Sequence, residues 1–439
     1  MIRTMTLLLM AVTASDVCHG QTLEWARQLG TSEVDSGVDI SVDNHGSVYI
    51  VGNTEGAFAG AGIGDSDGYI GKYSELGTLE WIRQIGTTAF DNARSVSADG
   101  LGSVYVSGHT RGGFSGENAG SYDGFLAKYN EDGESVWTLQ IGTSEIDEAW
   151  GVSADGMGNV YVAGHTAGDL AGVNLGMGDA FLAKYNDAGQ LLWTQQFGTS
   201  AYDMCIDVAA DQSGNVYVVG NTEGDLDGVA LGAYDTFVGL FDSNGNLKWI
   251  RQHGTNAYDE GQAIATDGLG NAYIVGDTYG DLVAPQPEGG TLFLSKFDHE
   301  GMLDWSRQFG TVDIALAGDV AADQFGNVFV TGFTEASFID DGAYIYGAFL
   351  SSFDSGGALL WNEELFTENG ATSGSGVSTD DNRNVYISGT TQRSLAGPSA
   401  GSHDAFLAKY HSDVPEPSGL CLTLMACAAH SCLGHRRRI

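Results

Sequence analysis

Cysteine is scarce in this chain, with five in 439 residues. Four of them lie near the chain ends, at Cys18, Cys421, Cys427 and Cys432, and only Cys205 lies in the long stretch between. One cysteine cannot form an internal disulfide, which excludes a disulfide framework for that stretch. A large hydrophobic core must hold the fold instead.

Basic residues are also few. Lysine and arginine number 18 against 57 aspartates and glutamates, which gives a formal net charge of -39. Such a surface repels nucleic acid and anionic lipid, so neither is expected as a partner. The acidic surface favours solubility and attracts cations or basic partners.

No segment shows the 3.6-residue hydrophobic period of a helix, and proline is rare, with five residues. Short runs of alternating β-branched and aromatic residues are present instead, separated by turns that draw on 65 glycines. Such runs are typical of strands, whose ladder hydrogen bonds proline would interrupt. The composition therefore favours an all-β protein.

The sequence repeats itself. "LEWARQLGTSEVD" begins at Leu23, and "LEWIRQIGTTAFD" begins 56 residues later at Leu79. Tryptophan marks the same interval along the chain, at Trp25, Trp81, Trp137, Trp193, Trp249, Trp305 and Trp361. A fixed period of this length indicates a repeat architecture.

Each repeat contains four short apolar segments. In one unit they are residues 206–211, 216–220, 235–241 and 247–253, and the turn "DQSGN" joins the first two. Four strands in about 56 residues, joined by glycine-rich turns, describe one blade of a β-propeller. The sequence therefore predicts an all-β, seven-bladed β-propeller.

The order of the segments predicts how the ring closes. The segment built from small residues suits the crowded axis, so it is expected to be the innermost strand. Blade seven then has three strands of its own, and the extra tryptophan segment at residues 23–29 supplies the fourth. Such closure removes an exposed sheet edge and makes the propeller, residues 21–413, one domain.

Residues 211–222, "DQSGNVYVVGNT", with "DTFVGLF" and "LKWIRQHGT" after them, resemble the bacterial SBBP-type β-propeller repeat, which is similar to NHL repeats. The resemblance extends over residues 23–410. Residues 289–291, 346–348 and 381–384 depart from the pattern. The resemblance implies a fold and no particular activity.

The N-terminus has the pattern of a secretory signal peptide, residues 1–20. Arg3 supplies positive charge, residues 5–13 a short apolar core and Gly20 a small residue before the cleavage point. A lipoprotein signal at Cys18 is the weaker alternative, because Asp16 would fall within it.

The C-terminus, residues 414–439, resembles a PEP-CTERM sorting signal. The motif residues are Val414, Pro415, Glu416, Pro417 and Ser418, followed by an apolar stretch and then Arg436, Arg437 and Arg438. The resemblance implies an exosortase-type sorting enzyme as partner, and a simple tail anchor is the alternative. Either reading predicts an exported protein that touches the membrane only through this segment before processing.

Aspartates recur in three sets. One set ends the first strand and is expected to cap the following turn: Asp43, Asp99, Asp155, Asp211, Asp267 and Asp323. Two more sets are expected on loops of one face: Asp35, Asp91, Asp147, Asp203 and Asp259, and Asp67, Asp123, Asp179, Asp235 and Asp404. These loops could supply oxygen ligands to Ca²⁺ or could cap turns. No metal site or cofactor is predicted, with Ca²⁺ left open.

Ligand binding is expected where the blades differ. The first strand begins with a variable residue: Val38, Arg94, Trp150, Ile206, Gln262, Gly318 and Ser375. These positions are expected near one mouth of the central channel, where Trp150 either stacks on a sugar ring or plugs the channel. His109 and His165 follow a recurring glycine in adjacent blades but lack a third metal ligand. The candidate ligand-binding residues are Arg94, Trp150, Gln262, His109 and His165.

The recurring lysines, at Lys72, Lys128, Lys184, Lys296 and Lys409, are expected on solvated strand faces. No nucleophile, metalloprotease or phosphate-binding motif occurs, so no catalytic residue is assigned. The leading hypothesis is a non-enzymatic binding or scaffold module at the cell surface or in an exopolysaccharide matrix, with polysaccharide or surface proteins as partners. A carbohydrate-active hydrolase or lyase acting at the channel mouth, and a Ca²⁺-stabilised surface protein, are the alternatives.

Overall fold

The computed structural model describes residues 21–58, 62–114, 118–228, 231–283, 291–310, 315–338, 344–365, 367 and 370–412. In these ranges the regular elements are 28 strands, arranged in seven four-stranded antiparallel sheets. The all-β, seven-bladed propeller is confirmed. The signal peptide and the sorting signal lie outside the described residues.

The four strands of each blade fall into four sets. The first strands are β2 (Asp35–Val42), β6 (Asp91–Ala98), β10 (Asp147–Ala154), β14 (Asp203–Ala210), β18 (Asp259–Thr266), β22 (Ala315–Ala322) and β26 (Thr372–Thr379). The second strands are β3 (Val48–Thr54), β7 (Ser103–Thr110), β11 (Asn159–Thr166), β15 (Val216–Thr222), β19 (Ala272–Thr278), β23 (Val328–Phe338) and β27 (Asn384–Thr391). The third strands are β4 (Asp67–Tyr73), β8 (Asp123–Asn130), β12 (Asp179–Asn186), β16 (Asp235–Phe241), β20 (Thr291–Phe297), β24 (Tyr344–Phe353) and β28 (Asp404–Ser412). The fourth strands are β5 (Leu79–Ile85), β9 (Ser135–Ile141), β13 (Leu191–Phe197), β17 (Leu247–His253), β21 (Leu303–Phe309), β25 (Leu359–Leu365) and β1 (Gln21–Leu29).

The ring closes as predicted. The first strands contact one another in a closed circle, so the small-residue strands are the innermost. β1 pairs with β28 in the sheet order β1-β28-β27-β26, from Gln21 opposite Ser412 to Leu29 opposite Ala405. Blade seven therefore takes its outer strand from the start of the chain, and its third strand β28 is paired on both sides like the third strands of the other blades.

The hydrophobic core lies in the seams between neighbouring blades. One cluster joins Tyr49 and Val51 of blade one to Val96 and Phe125 of blade two, and similar clusters occupy the other seams. Each blade thus buries its faces against its neighbours, as the alternating strands require.

The expectation that the recurring lysines are solvated is wrong for three of them. Lys128, Lys184 and Lys409 are buried. The Lys184 ammonium lies 5.1 Å from the centroid of the Tyr161 ring on the adjacent strand and donates to the Ser243 carbonyl oxygen at 3.1 Å. The tyrosine face and the hairpin of the next blade together compensate the buried charge.

The two faces of the ring differ. One face carries the turns between strands one and two and between strands three and four, and is called the hairpin face. The opposite face carries the remaining loops and is called the mouth face. Gln21 and Ser412 are paired at the hairpin face, so the described part of the chain begins and ends on the side away from the mouth. In the described ranges, no helix is long and apolar enough to cross a bilayer.

Candidate ligand site at the channel mouth

The seven variable residues meet in one cavity at the mouth face. The cavity has a volume of about 320 Å³, and its lining includes Val38, Arg94, Trp150, Ile206, Gln262, Gly318 and Ser375. The structure therefore brings Arg94, Trp150 and Gln262 together, as the sequence predicted. This cavity is called the mouth cavity.

A β-bulge explains why these positions vary. In every blade the register between the first and second strands shifts at the variable residue, as at Trp150 between Ala149 and Gly151. A bulge leaves one residue outside the ladder and redirects its side chain. Each bulge residue therefore projects toward the channel without a pairing role of its own.

Three aspartates line the mouth cavity next to the bulge residues: Asp39, Asp207 and Asp319. Each carboxylate accepts one hydrogen bond from the following residue and one from the first strand of the next blade. For Asp207 these donors are the Val208 and Ile264 N–H groups, at 2.8 and 3.0 Å. The aspartates thus connect neighbouring blades at the axis.

Burial raises the pKa of these carboxyl groups despite their hydrogen bonds. The pKa of Asp39 is raised to about 6 and that of Asp207 to about 7, chiefly by desolvation. The pKa of Asp319 is raised by desolvation and then by the charges of Asp39 and Asp207. The pKa values of Asp39 and Asp207 thus lie closer to neutral pH than that of an exposed aspartate.

Arg94 and Trp150 stack on each other across the seam between blades two and three. The guanidinium carbon of Arg94 lies 4.1 Å from the centroid of the Trp150 ring. The Arg94 Nε and the Trp150 indole N–H are buried and without a hydrogen-bond partner among the described residues. The pair stands at the edge of the cavity, with one face of Trp150 covered by a cation rather than free for a ligand.

His109 and His165 lie behind this pair and face one carboxylate. The Nδ1 atoms of His109 and His165 are 3.9 and 3.6 Å from the two oxygens of Glu148. Burial lowers the pKa of His109 to about 3 and that of His165 to about 4, so both are neutral at pH 7. Desolvation raises the pKa of Glu148, although the Arg94 charge opposes the rise.

Glu148 is the residue that the sequence analysis missed. It lies two residues before Trp150 on β10. Side chains two residues apart share one face of a regular strand, and this rule could have placed Glu148 near the mouth, although the bulge at Trp150 interrupts the alternation. The Trp150 indole N–H is close to its carboxylate without reaching hydrogen-bond geometry. Across the described ranges, no three His, Cys, Asp or Glu side chains are arranged around a common metal position.

The histidines replace an amide found in other blades. Asn221 donates to the Gly261 carbonyl oxygen at 3.2 Å and accepts from the Gly261 N–H at 2.7 Å, which fastens blade four to blade five. His109 and His165 occupy the same position in blades two and three, and their Nδ1 atoms lack such a bond. Blades two and three therefore carry polar atoms at the mouth that the fold does not use.

The recurring aspartates mostly serve turns. The Asp99 carboxylate accepts from the Leu101 and Ser103 N–H groups, at 2.7 and 2.9 Å, which confirms the predicted cap. On the mouth face, Asp203 accepts from the N–H and the hydroxyl of Thr199, at 2.6 and 2.9 Å. The carboxylate oxygens in these bonds therefore accept hydrogen bonds from the protein's own turns.

Comparison with known proteins agrees with this architecture. The model of the SBBP family, described as a beta-propeller repeat, matches residues 24–58, 80–115, 136–171, 192–227 and 248–282. Each match runs from a fourth strand through the first two strands of the next blade.

Two curated proteins are similar to parts of the chain. The regulatory protein FlaEY of Caulobacter vibrioides is 29% identical over 202 residues, which cover 40% of this chain and 21% of that protein. The uncharacterized WD repeat-containing protein L264 of Acanthamoeba polyphaga mimivirus is 21% identical over 300 residues, 59% of this chain and 19% of that protein. The chain thus spans about a fifth of the length of each of these relatives.

Solved structures that align with the chain include a luciferin-regenerating enzyme, at 10% identity and a TM-score of 0.42, covering 90% of this chain and 96% of that one. A gluconolactonase from Xanthomonas campestris aligns at 13% identity and a TM-score of 0.37, covering 66% of this chain and 81% of that one. Similarity at this level says nothing about activity. From its matched repeats and its seven sheets, the chain is a seven-bladed β-propeller that contains SBBP β-propeller repeats.

Proposed function

We propose that this chain is an exported, non-enzymatic binding or scaffold module of the cell surface or an exopolysaccharide matrix, with its ligand held in the mouth cavity. The observation that carries the proposal is that all seven bulge residues, where the blades differ most, line this cavity. Residues that recur in every blade serve the fold, so the residues that differ are the ones free to serve a ligand.

Unused polar atoms at the cavity support the proposal. Arg94 and Trp150 line the cavity, and the Arg94 Nε and the Trp150 Nε1 atoms are buried and unpartnered among the described residues. Buried polar groups in folded proteins nearly always have a hydrogen-bond partner. A polar ligand that reaches this side of the cavity would supply those partners.

The position of the chain ends also suits a surface protein. The described chain stops at Ser412 on the hairpin face, and the segment of residues 414–439 follows. If an exosortase-type enzyme processes that segment, as its resemblance to a sorting signal implies, the attached side of the propeller is the hairpin face. The mouth cavity would then face away from the attachment.

A thermal-shift panel of the full chain tests the proposal, with soluble polysaccharides, oligosaccharides, amino acids and small organic acids as probes. We expect at least one probe to raise the Tm in a saturable way. Trp150→Ala and Arg94→Ala should abolish that rise, whereas Phe325→Ala on the hairpin face should not. A rise that survives in both cavity variants would remove the mouth cavity as the binding site.

A carbohydrate-active enzyme is the second candidate, favoured by the three carboxyl groups of raised pKa in the cavity. Paired acids of this kind perform acid–base catalysis on glycosidic bonds. Against it, both oxygens of each carboxylate already accept backbone N–H groups. Incubation with the same polysaccharides should release no reducing ends, and release that is lost in Asp207→Asn would establish the enzyme instead.

A further inference from the structure

Aromatic side chains line part of the mouth rim on blades two, four and five. They occupy the position just before the aspartate that opens a first or third strand, and parallel bridges join these positions across the seams. With one neighbour in the following loop they form a set called the aromatic arc: Phe90, Tyr122, Tyr202, Tyr234, Tyr258 and Tyr279. The recurring letters "AYD" mark three of them in the sequence.

One end of the arc is an exposed platform. Tyr234 and Tyr258 stack face to face, with ring centroids 4.6 Å apart and planes 6° from parallel. Tyr279 meets Tyr258 edge-on at 6.0 Å, and its N–H donates to the Tyr258 carbonyl oxygen at 3.0 Å. Tyr258 is 43% exposed and Tyr279 57% exposed. Three rings held by each other in this way offer a pre-formed apolar surface at the rim.

Polar groups continue from this platform into the mouth cavity. The Tyr258 hydroxyl donates to Glu260 at 3.3 Å. Gln262, which lines the cavity, donates to Asp277 at 3.4 Å. The Glu260 carboxylate therefore lies between the exposed rings and the cavity, whereas Asp277 is buried and its oxygens accept from Ala317 and Gln262.

The other end of the arc reaches the cavity through rings alone. Tyr122 contacts His109 with centroids 5.4 Å apart, and His109 lies 6.3 Å from Trp150. Tyr202 contacts His165 at 5.4 Å. Ring contacts therefore run from the rim of blade two to the cavity edge, with the buried His109 in the middle.

The combination selects a chemical class of ligand. Ring faces suit the C–H faces of a sugar, and carboxylate oxygens accept hydrogen bonds from hydroxyl groups. The net charge of -39 repels acidic polymers. We infer that the aromatic arc and the mouth cavity together bind an uncharged polysaccharide, which crosses the platform of Tyr234, Tyr258 and Tyr279 and enters the cavity beside Gln262. This inference rests on the proposed function, because it names the ligand of the same cavity.

Affinity electrophoresis of the full chain in native gels tests the inference. The probes are soluble cellulose ether, β-1,3-glucan, galactomannan and dextran, with alginate as the acidic comparison. We expect retardation by at least one uncharged polymer and none by alginate, with little change when salt is added, because no ion pair is involved. Tyr258→Ala and Tyr279→Ala should each raise the apparent Kd about tenfold, the loss expected for an exposed stacking ring.

The matched control is Phe325→Ala, which removes a ring of 49% exposure from the opposite face. It should leave the retardation unchanged. Retardation by alginate alone, by none of the polymers, or equally weakened by Phe325→Ala would overturn the inference. Circular dichroism and Tm of each variant establish that it is folded.

The outcomes separate this inference from the proposed function. Retardation that depends on Tyr258 and not on Trp150 would show that the polysaccharide binds on the aromatic arc and not in the mouth cavity. A Trp150-dependent ligand found among the amino acids or organic acids, with no retardation in the gels, would support the proposed binding function. It would also show that the ligand is not a polysaccharide. A peptide ligand bound on the arc would likewise overturn it.

Discussion

The indole nitrogen of Trp193 donates a hydrogen bond of 3.1 Å to the carbonyl oxygen of Ser243, in the hairpin between β16 and β17 of the next blade. The same bond to a residue 50 positions later recurs at Trp25, Trp81, Trp137, Trp249 and Trp305. Trp361 lacks a partner among the described residues. Blade seven takes its fourth strand from the N-terminus, so the acceptor hairpin does not exist there.

This difference gives a matched pair of variants. Trp193→Phe removes the ring packing and the hydrogen bond, whereas Trp361→Phe removes only packing. Each indole lies 6.0 Å from an aromatic ring of its own blade, Tyr161 or Phe329, and Trp193 also packs against Gly245 in the hairpin of the next blade. We expect Trp193→Phe to lower the free energy of unfolding by about 1 kcal/mol more than Trp361→Phe, measured by urea unfolding. Equal losses would mean that the bond and the contact with Gly245 together contribute no net stability.

The recurring glycine of the second strand has a steric reason. A Cβ on Gly220 would lie 2.1 Å from the Met204 carbonyl oxygen and 2.5 Å from Phe237 Cζ. Gly220→Ala should therefore force a backbone shift between β14 and β15 and lower the free energy of unfolding by about 1 to 3 kcal/mol. Gly172, in an exposed loop with nothing within 4 Å of the added carbon, is the control. A loss of similar size in Gly172→Ala would contradict the steric explanation.

A buried histidine should make the protein sensitive to acid. His253 lies between Phe293 and Phe297, with centroids 5.4 and 5.5 Å away, and burial lowers its pKa to about 4. The folded state then binds fewer protons than the unfolded state between pH 6.5 and 4. Its contribution to stability is therefore complete above that window and is lost as the pH falls through it.

His253→Phe should remove this pH-dependent loss of stability. Phe197 and Phe309 occupy the same position in blades three and five, so the larger ring has a precedent in this fold. We expect the variant to gain stability over the natural chain as the pH falls, by about 2 kcal/mol at pH 5. His299→Gln, at an exposed histidine, should show no such gain. Comparing variants cancels the contribution of Asp207, whose raised pKa has the opposite sign.

The period of the sequence was enough to predict the fold. Tryptophan and glycine recur because every blade needs the same interblade bond and the same close approach, as Trp193 and Gly220 show. The cavity lining was predictable for a related reason. A residue that differs in every blade has no common structural duty, and the bulge at Trp150 shows what leaves it free.

The contacts between blades could not be predicted from the period. Arg94 and Trp150 belong to different blades, and their stacking depends on the twist and spacing of the ring. The burial of Lys128 depends likewise on the hairpin of the next blade. Such contacts occur across a seam, where no regular spacing along the chain marks them.

Aspartates of neighbouring blades occur in pairs across the mouth-face seams. Asp235 and Asp259 both have one oxygen within 3.0 Å of the position that a Cβ on Gly254 would take. Five seams carry two aspartates at these positions. The two remaining seams carry none: one has Thr291 and Ala315, and the other has Gly347 and Thr372. No seam has a single one, so the residues at the two positions change together.

A double-mutant cycle measures that coupling. Asp235→Thr and Asp259→Ala together recreate the seam of Thr291 and Ala315. Desolvation, with a contribution from the Asp259 charge, raises the pKa of Asp235, so a shared proton or a bound cation would make the pair favourable. We expect the double variant to lose less stability than the two single variants combined, by about 0.5 to 3 kcal/mol. If the double variant loses more stability than the two single variants combined, the two carboxylates only repel each other. Repeating the cycle with EDTA and with Ca²⁺ distinguishes the two favourable cases, because only a cation-bridged pair loses its coupling in EDTA and raises the Tm with Ca²⁺.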